Sequence, residues 1–388
     1  MQVTVCCPTK FHAFYLAEQL NKHHALRKLY TSYYGRWGKK VNNLNIEVPT
    51  DKVSTNLASA FLFYGYPIGS ELFRFRNFGR WVAKQITDEN IVVSWGLSAL
   101  PIIERAHQLG VIVVVERGSS HARYQRDILL DEYERWGAST VKLRRSFSQE
   151  RMEQELLEYK LADYISIPSS FVERTFLSNG ISKEKLIKVP YGVNLAEFKQ
   201  LTKNDNVFRV IYAGGMTLQK GVHYLLKAFA ELNLPGAELW LVGGKSPEID
   251  PFFKQYEGKF VFFGQQPQVK LHEYYSQCSV FAMCSIQEGM AMVQPQGMAC
   301  GLPLICTTNT GGDDLIEDGK EGFVIPIRDA EALKEKILFF YENQAACAEM
   351  GQAAKERVSK GYTWNDYGDK TIQAYDQLIN TTNVKTVS

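Results

Sequence analysis

Short β-branched runs alternate with segments of helical apolar spacing along nearly the whole chain, the pattern of a parallel sheet covered on both faces. In the first half, runs at residues 3–6, 91–95, 111–115, 164–167 and 186–189 predict strands. Helical spacing fills the intervals, as at Leu100, Ile103, Ala106 and His107, and Gly110 stops that run. A second series at residues 208–213, 238–242, 260–263, 279–283, 303–307 and 322–325 repeats the arrangement. Two series predict two doubly wound α/β domains. The polar stretch 198–206 is the linker candidate, dividing the chain into residues 1–205 and 206–388. Beyond residue 329 the pattern turns helical, with Ala332, Leu333, Ile337 and Leu338 on one apolar face. The last helix, about residues 364–378, is long enough to cross back to the first domain.

Composition adds little to this picture. A length of 388 residues, 45% hydrophobic and 22% charged, suits two globular domains and gives no case for wholesale disorder. The opening residues lack a basic leader and a long apolar segment, so they read as a core strand, and a cytosolic protein is expected. Seven cysteines, scattered and without a CxxC pair, read as reduced, mostly buried thiols. Charge is more informative. Residues 1–200 carry 27 Lys/Arg against 20 Asp/Glu, and residues 201–388 carry 17 against 22, so a net charge of +2 conceals a basic and an acidic half. That asymmetry is too mild for nucleic acid, which is excluded as a partner. It is compatible with peripheral contact at the inner face of a membrane through the basic N-terminal domain. The segment 72–84 interleaves aromatics with bases, as interfacial helices do, but a core-facing helix with a basic outer face is the preferred reading.

In open α/β sheets ligands bind beyond the carboxyl ends of the strands, so the loops there carry the candidate chemistry. After the run ending at Ala213 come Gly214 and Gly215, then Lys220-Gly221 and an amphipathic helix. Glycines allow close backbone approach, a helix start offers free N–H groups and Lys220 adds a point charge, a set that suits a phosphate. A tight turn with a solvated lysine is the alternative. The segment from Ser285 to Pro303 places Glu288 in a loop after a strand and begins a helix near Met292, whose amides face what Glu288 faces.

The order Glu288-Gly289, then Gln296-Gly297-Met298-Ala299-Cys300-Gly301-Leu302-Pro303, resembles the signature of the retaining glycosyltransferases of family 4. Pro190-Tyr191-Gly192-Val193-Asn194 with Phe198 resembles that family's interdomain motif, Lys220-Gly221 its phosphate-binding turn, and residues 310–319 its later glycine loop. The resemblance covers nearly the whole second domain and is looser in the first. It implies a GT-B fold, two Rossmann-like domains facing across a cleft, with a nucleotide diphosphate sugar as donor. It further implies transfer to a glycan, lipid-linked or small-molecule acceptor, and chemistry needing neither metal nor cofactor. Carried over by position, Glu288 contacts sugar hydroxyls and Gln296 the ribose. Gly214, Gly215, Gly289, Met290, Ala291, Met292 and Val293 form the donor-binding backbone, and Lys220 offsets diphosphate charge. Two residues depart from the pattern. Gln296 stands where the family has a second glutamate, and Gly215 where it commonly has an arginine five residues before the lysine.

The loop after the third strand run of the first half reads Glu116-Arg117-Gly118-Ser119-Ser120-His121. The resemblance makes His121 the candidate near the donor sugar, while Glu116, Arg117 and Ser119 are acceptor-side candidates. His12, in Thr9-Lys10-Phe11-His12 after the first strand, is a further acceptor-side candidate. Helix capping or solvent exposure is the competing explanation for His12, and a structural role the competing one for His121. Glycosyl transfer is the expected activity, the alternatives being a nucleotide-sugar epimerase of the same fold and a non-catalytic sugar-nucleotide-binding protein.

Overall fold

The computed structural model describes residues 1–9, 11–32, 47–56, 59, 63 and 70–387; Lys10 lies outside the described residues. Two parallel sheets follow one another along the chain. The first holds β1 (Val3–Cys7), β2 (Leu26–Thr31), β3 (Val53–Thr55), β4 (Ile91–Trp95), β5 (Ile112–Glu116), β6 (Tyr164–Ile167) and β7 (Leu186–Lys188), in the order β3-β2-β1-β4-β5-β6-β7. The second holds β8 (Arg209–Ala213), β9 (Glu238–Val242), β10 (Val261–Gly264), β11 (Val280–Met283), β12 (Leu304–Thr307) and β13 (Gly322–Ile325), in the order β10-β9-β8-β11-β12-β13. Every residue of β1, β4, β5 and β8 is buried, as strands covered on both faces require. A division near residue 205 falls between the sheets.

Two strands escape the sequence pattern. In β2, Arg27 and Lys28 interrupt the apolar run, because the strand is only partly covered there. The three residues of β3 form the sheet edge, half-buried throughout, and too short to leave a period. The remaining strands match their runs within a residue or so. One such difference matters: β5 ends at Glu116 rather than Val115.

The segment with interleaved aromatics and bases forms the helix Glu71–Ala83, which buries Leu72, Phe75, Phe78 and Val82, the core-facing arrangement. Among the described residues no helix is long and apolar enough to cross a membrane. All seven cysteines are buried and free of disulfides.

The final helix, Trp364–Val387, does return to the first domain. The Trp364 ring stacks on Tyr15 of the helix Ala13–Lys22, centroids 3.8 Å apart and 4° from parallel. Gly368 lies so close to that helix that a Cβ would meet Gln19 Oε1 at 2.7 Å. The Val193 amide donates to Tyr362 O at 2.8 Å, so the chain enters and leaves the second domain at one seam.

Candidate active site

In each sheet the strand order reverses direction beside the first strand, between β1 and β4 and between β8 and β11. Loops on either side of such a switch point diverge and leave a crevice. The two crevices face each other and share a cleft of about 480 Å³, within the usual range for small-ligand sites.

The second-domain wall is built by a pair of interlocked loops. Thr217 Oγ1 accepts from the Lys220 amide at 3.3 Å and closes the turn Leu218–Lys220. Gly221 follows with φ +65°, and a Cβ there would meet Cys284 O at 1.9 Å, so only glycine lets this turn lie against the end of β11. The Ile286 amide donates to Gln219 O at 2.8 Å and Gln219 Nε2 to Gln287 O at 3.1 Å, joining the turn to the Glu288 loop. As a result Lys220 Nζ forms an ion pair with Glu288 Oε1, which also accepts from Ser285 Oγ at 3.2 Å. The Glu288 amide donates to Asn309 O at 2.8 Å and fixes the loop from the other side. Beside this pair the helix Val293–Ala299 begins at Met292 with no side chain capping it, and both Met292 and Val293 line the cleft. A cation and uncapped amides thus share a wall with a carboxylate, which equips it for an anion carrying hydroxyl groups.

The first-domain wall comes from the loops after β1, β4 and β5. His12 Nε2 lies 3.1 Å from Glu116 Oε2, both residues being about 95% buried. Its ring packs on Tyr191 and Trp95, at centroid distances of 4.4 and 5.1 Å. Arg117 is held by Glu155 at 2.6 Å and donates from Nε to Ser120 O at 3.0 Å. The loop after β4 is fixed by Glu158, whose carboxylate accepts from the amides of Leu97 at 2.6 Å and of Ala99 and Leu100 at 3.1 Å.

The walls also touch. Gln287 Nε2 donates across the cleft to Ser119 Oγ at 2.8 Å. Gly289 lies against Gly118 so tightly that a Cβ on Gly289 would meet Gly118 O at 2.0 Å.

Of the residues singled out from the sequence, Gly214, Lys220, Glu288, Met290, Ala291, Met292, Val293, His12, Glu116, Arg117 and Ser119 all line this one cleft. Gly289 supports it from the domain contact. A Cβ at Gly215 would meet nothing within 4 Å, so the position normally given to arginine is open space. Gln296 is buried in the helix Val293–Ala299, and its Oε1 has no partner among the described residues.

His121 requires a correction, for it lies outside the cleft lining. Its Nδ1 accepts from the Arg123 amide at 3.3 Å and caps the helix Ala122–Arg135, while the ring packs between Tyr159 and Phe176. Because β5 runs to Glu116, the residues at the strand end are Glu116 to Ser119, and by His121 the chain has already turned into its helix. Burial, aided by Arg117 and Arg123, pushes its imidazole down from 6.5 to about 4. A value lowered on folding means the stabilisation is complete above pH 6.5 and is lost as pH falls through about 4. His121→Ala is therefore expected to cost about 1 to 3 kcal/mol at neutral pH. It should also flatten the fall in melting temperature between pH 6.5 and 4; an unchanged acid limb would contradict this role.

Other lining residues carried no local signal. Trp95 stands at a strand end beside the switch point, where topology could have marked it. Glu71, Arg151 and Glu155 reach the cleft from helices and become neighbours only through tertiary packing. Among the described residues no three His, Cys, Asp or Glu side chains are grouped to hold a metal ion.

Residues 194–357 match the model of the family described as glycosyl transferases group 1. The Staphylococcus aureus capsular polysaccharide biosynthesis glycosyltransferase CapM is 25% identical over 251 residues, 58% of this chain and 64% of that one. The chain covers under two thirds of the curated relatives first matched. Two solved structures have the same fold over nearly the whole length. Sucrose-phosphate synthase from Thermosynechococcus elongatus superposes with a TM-score of 0.76 at 20% identity, covering 98% of this chain and all of that one. Anabaena Alr3699/HepE in complex with UDP gives 0.72 at 15% identity, covering 97% and 100%. The fold is accordingly GT-B, and residues 194–357 are similar to the group 1 glycosyl transferases.

Proposed function

We propose that this chain transfers a sugar, with retention of anomeric configuration and without a metal ion, from a nucleotide diphosphate sugar to an acceptor hydroxyl. The observation that carries the reading is the ion pair of Lys220 and Glu288 beside the uncapped start of the helix Val293–Ala299, at the switch point of the second sheet. In this reading Lys220 and the Met292 and Val293 amides receive the diphosphate, offsetting the charge a metal would otherwise balance. Glu288 accepts from the sugar hydroxyls, and Gln296, with its unpartnered Oε1, receives the ribose. His12, Glu116, Arg117 and Ser119 face the acceptor, be it a glycan, a lipid-linked sugar or a small molecule.

Incubation with isotope-labelled nucleotide-sugars and candidate acceptors tests the reading. Uridine diphosphate sugars are the first probes, since Alr3699/HepE has been solved with UDP and with UDP-glucose. Labelled product with the donor's anomeric configuration, formed equally well in a chelator, supports it. Epimerised donor would mean an epimerase. Binding without either product would favour a non-catalytic protein, a reading to which the open space at Gly215 lends some weight.

Gln296→Glu offers a narrower test. A carboxylate accepts both ribose hydroxyl protons in charge-assisted bonds, whereas the amide must use one donor and one acceptor. The variant is expected to fold and to bind uridine diphosphate as well as or more tightly than the parent. A loss of about tenfold or more, equivalent to about 1.4 kcal/mol by calorimetry, would show that Gln296 does not face the ribose.

A further inference from the structure

Glu132 belongs to the first domain, but its carboxylate is held mainly by the second. It lies near the end of the helix Ala122–Arg135 and is fully buried. Oε1 accepts from Tyr224 Oη at 3.0 Å and from Trp136 Nε1 at 3.0 Å, and lies 3.1 Å from His223 Nε2. Oε2 accepts from Arg328 Nε at 2.6 Å. His223 and Tyr224 open the helix Val222–Leu232, and Arg328 follows β13, so three of the four partners are second-domain residues.

The surroundings reinforce this contact. Asp131 pairs with Arg328 at 2.6 Å, Tyr133 donates to Glu248 at 2.9 Å, and the Trp136 ring meets those of His223 and Phe252 edge-on at 5.0 Å. Arg328 holds φ +66°, a conformation that a long side chain adopts only where its neighbours demand it. A carboxylate removed from water is tolerated only when fully partnered. Parting the domains here would strip three donors at once, so the contact is either made in full or replaced by water.

Its position ties it to the cleft. His223 comes three residues after Lys220, and the helix Ala122–Arg135 also packs on the turn Leu218–Lys220. Whatever fixes the start of the helix Val222–Leu232 against the first domain fixes Lys220 relative to His12 and Glu116. We infer that Glu132 is an interdomain clamp that sets Lys220 against the first-domain wall, a positioning residue that does not itself touch substrate. The catalytic part of this inference rests on the sugar transfer proposed above.

Interdomain distance and kinetics test the two parts separately. Because every native cysteine is buried, spin labels can be directed to Gln108→Cys and Glu257→Cys, exposed positions with one in each domain. In the full-length parent, pulsed electron resonance should give one narrow distance distribution; in Glu132→Gln and Glu132→Ala it should broaden toward longer distances. The kcat for transfer should fall about 10- to 100-fold, as misplacement of a reacting group allows. Affinity for uridine diphosphate should stay within about threefold, since its binding groups lie in the second domain. Glu132→Gln keeps the side chain's shape and decides the matter should the alanine variant fail to fold. An unchanged distribution in folded Glu132→Gln would overturn the clamp, and separated domains with unaltered kcat would overturn the positioning role. If the parent transfers no sugar from any nucleotide-sugar, the proposed function fails while the distances still decide the clamp.

Discussion

Glu288→Ala is expected to lower sugar transfer about 10- to 100-fold, the worth of a charge-assisted hydrogen bond, while affinity for the bare nucleoside diphosphate is unchanged or rises. The second half of this expectation comes from the ion pair. Lys220 is paired with Glu288, so a diphosphate must draw the ammonium away from its carboxylate before gaining it. The parting is not wasted in the parent, because it frees Glu288 Oε1 to accept from the sugar. With alanine the sugar loses its acceptor, and the diphosphate meets a cation that is already free. Side-by-side calorimetry with uridine diphosphate and rate measurements with the full nucleotide-sugar check both halves. Wild-type transfer, or a collapse of diphosphate affinity, would contradict the assignment.

Lys220→Ala should behave in the opposite way, weakening uridine diphosphate binding about 10- to 100-fold and uridine binding under about threefold. In the proposed reading its ammonium meets the phosphates, because the turn Leu218–Lys220 is pinned by Thr217 and by Gly221 and its side chain lines the cleft with Glu288, Met292 and Val293. Transfer should fall at least as far as binding, because charge on the leaving diphosphate grows as its bond to the sugar breaks. Equal losses for nucleoside and nucleoside diphosphate would put Lys220 away from the phosphates.

The parts of this site that could be read from the sequence are those built by local chain geometry. Gly214 with Lys220-Gly221, and separately the Glu288 loop, each lie on a short stretch between a strand and a helix, where glycines and a helix start mark a candidate ligand turn. Both sheets were legible wherever strands are covered on both faces, since burial then enforces an unbroken apolar run. Legibility ended where tertiary packing decides. Strand β2 tolerates Arg27 and Lys28 because its pairing with β1 shifts register there and both residues are only partly covered, and Arg151 becomes a cleft residue through the docking of its helix. His121 and His12 show the limit most sharply. Both stand five residues past a first-domain strand at the start of a helix, but the His121 ring caps its helix and packs between Tyr159 and Phe176, while His12 makes no cap and its ring meets Glu116 and Tyr191. Nor did any local feature mark Glu132, whose partners lie 91 to 196 residues away in the second domain.

A crystal structure of the chain with uridine diphosphate is the most direct test of the cleft as the donor site. The diphosphate should lie between Lys220 Nζ and the Met292 and Val293 amides, with Lys220 withdrawn from Glu288 and the ribose within hydrogen-bonding distance of Gln296. A nucleotide bound outside this cleft, or one bound within it while Lys220 keeps its pairing with Glu288, would contradict the account.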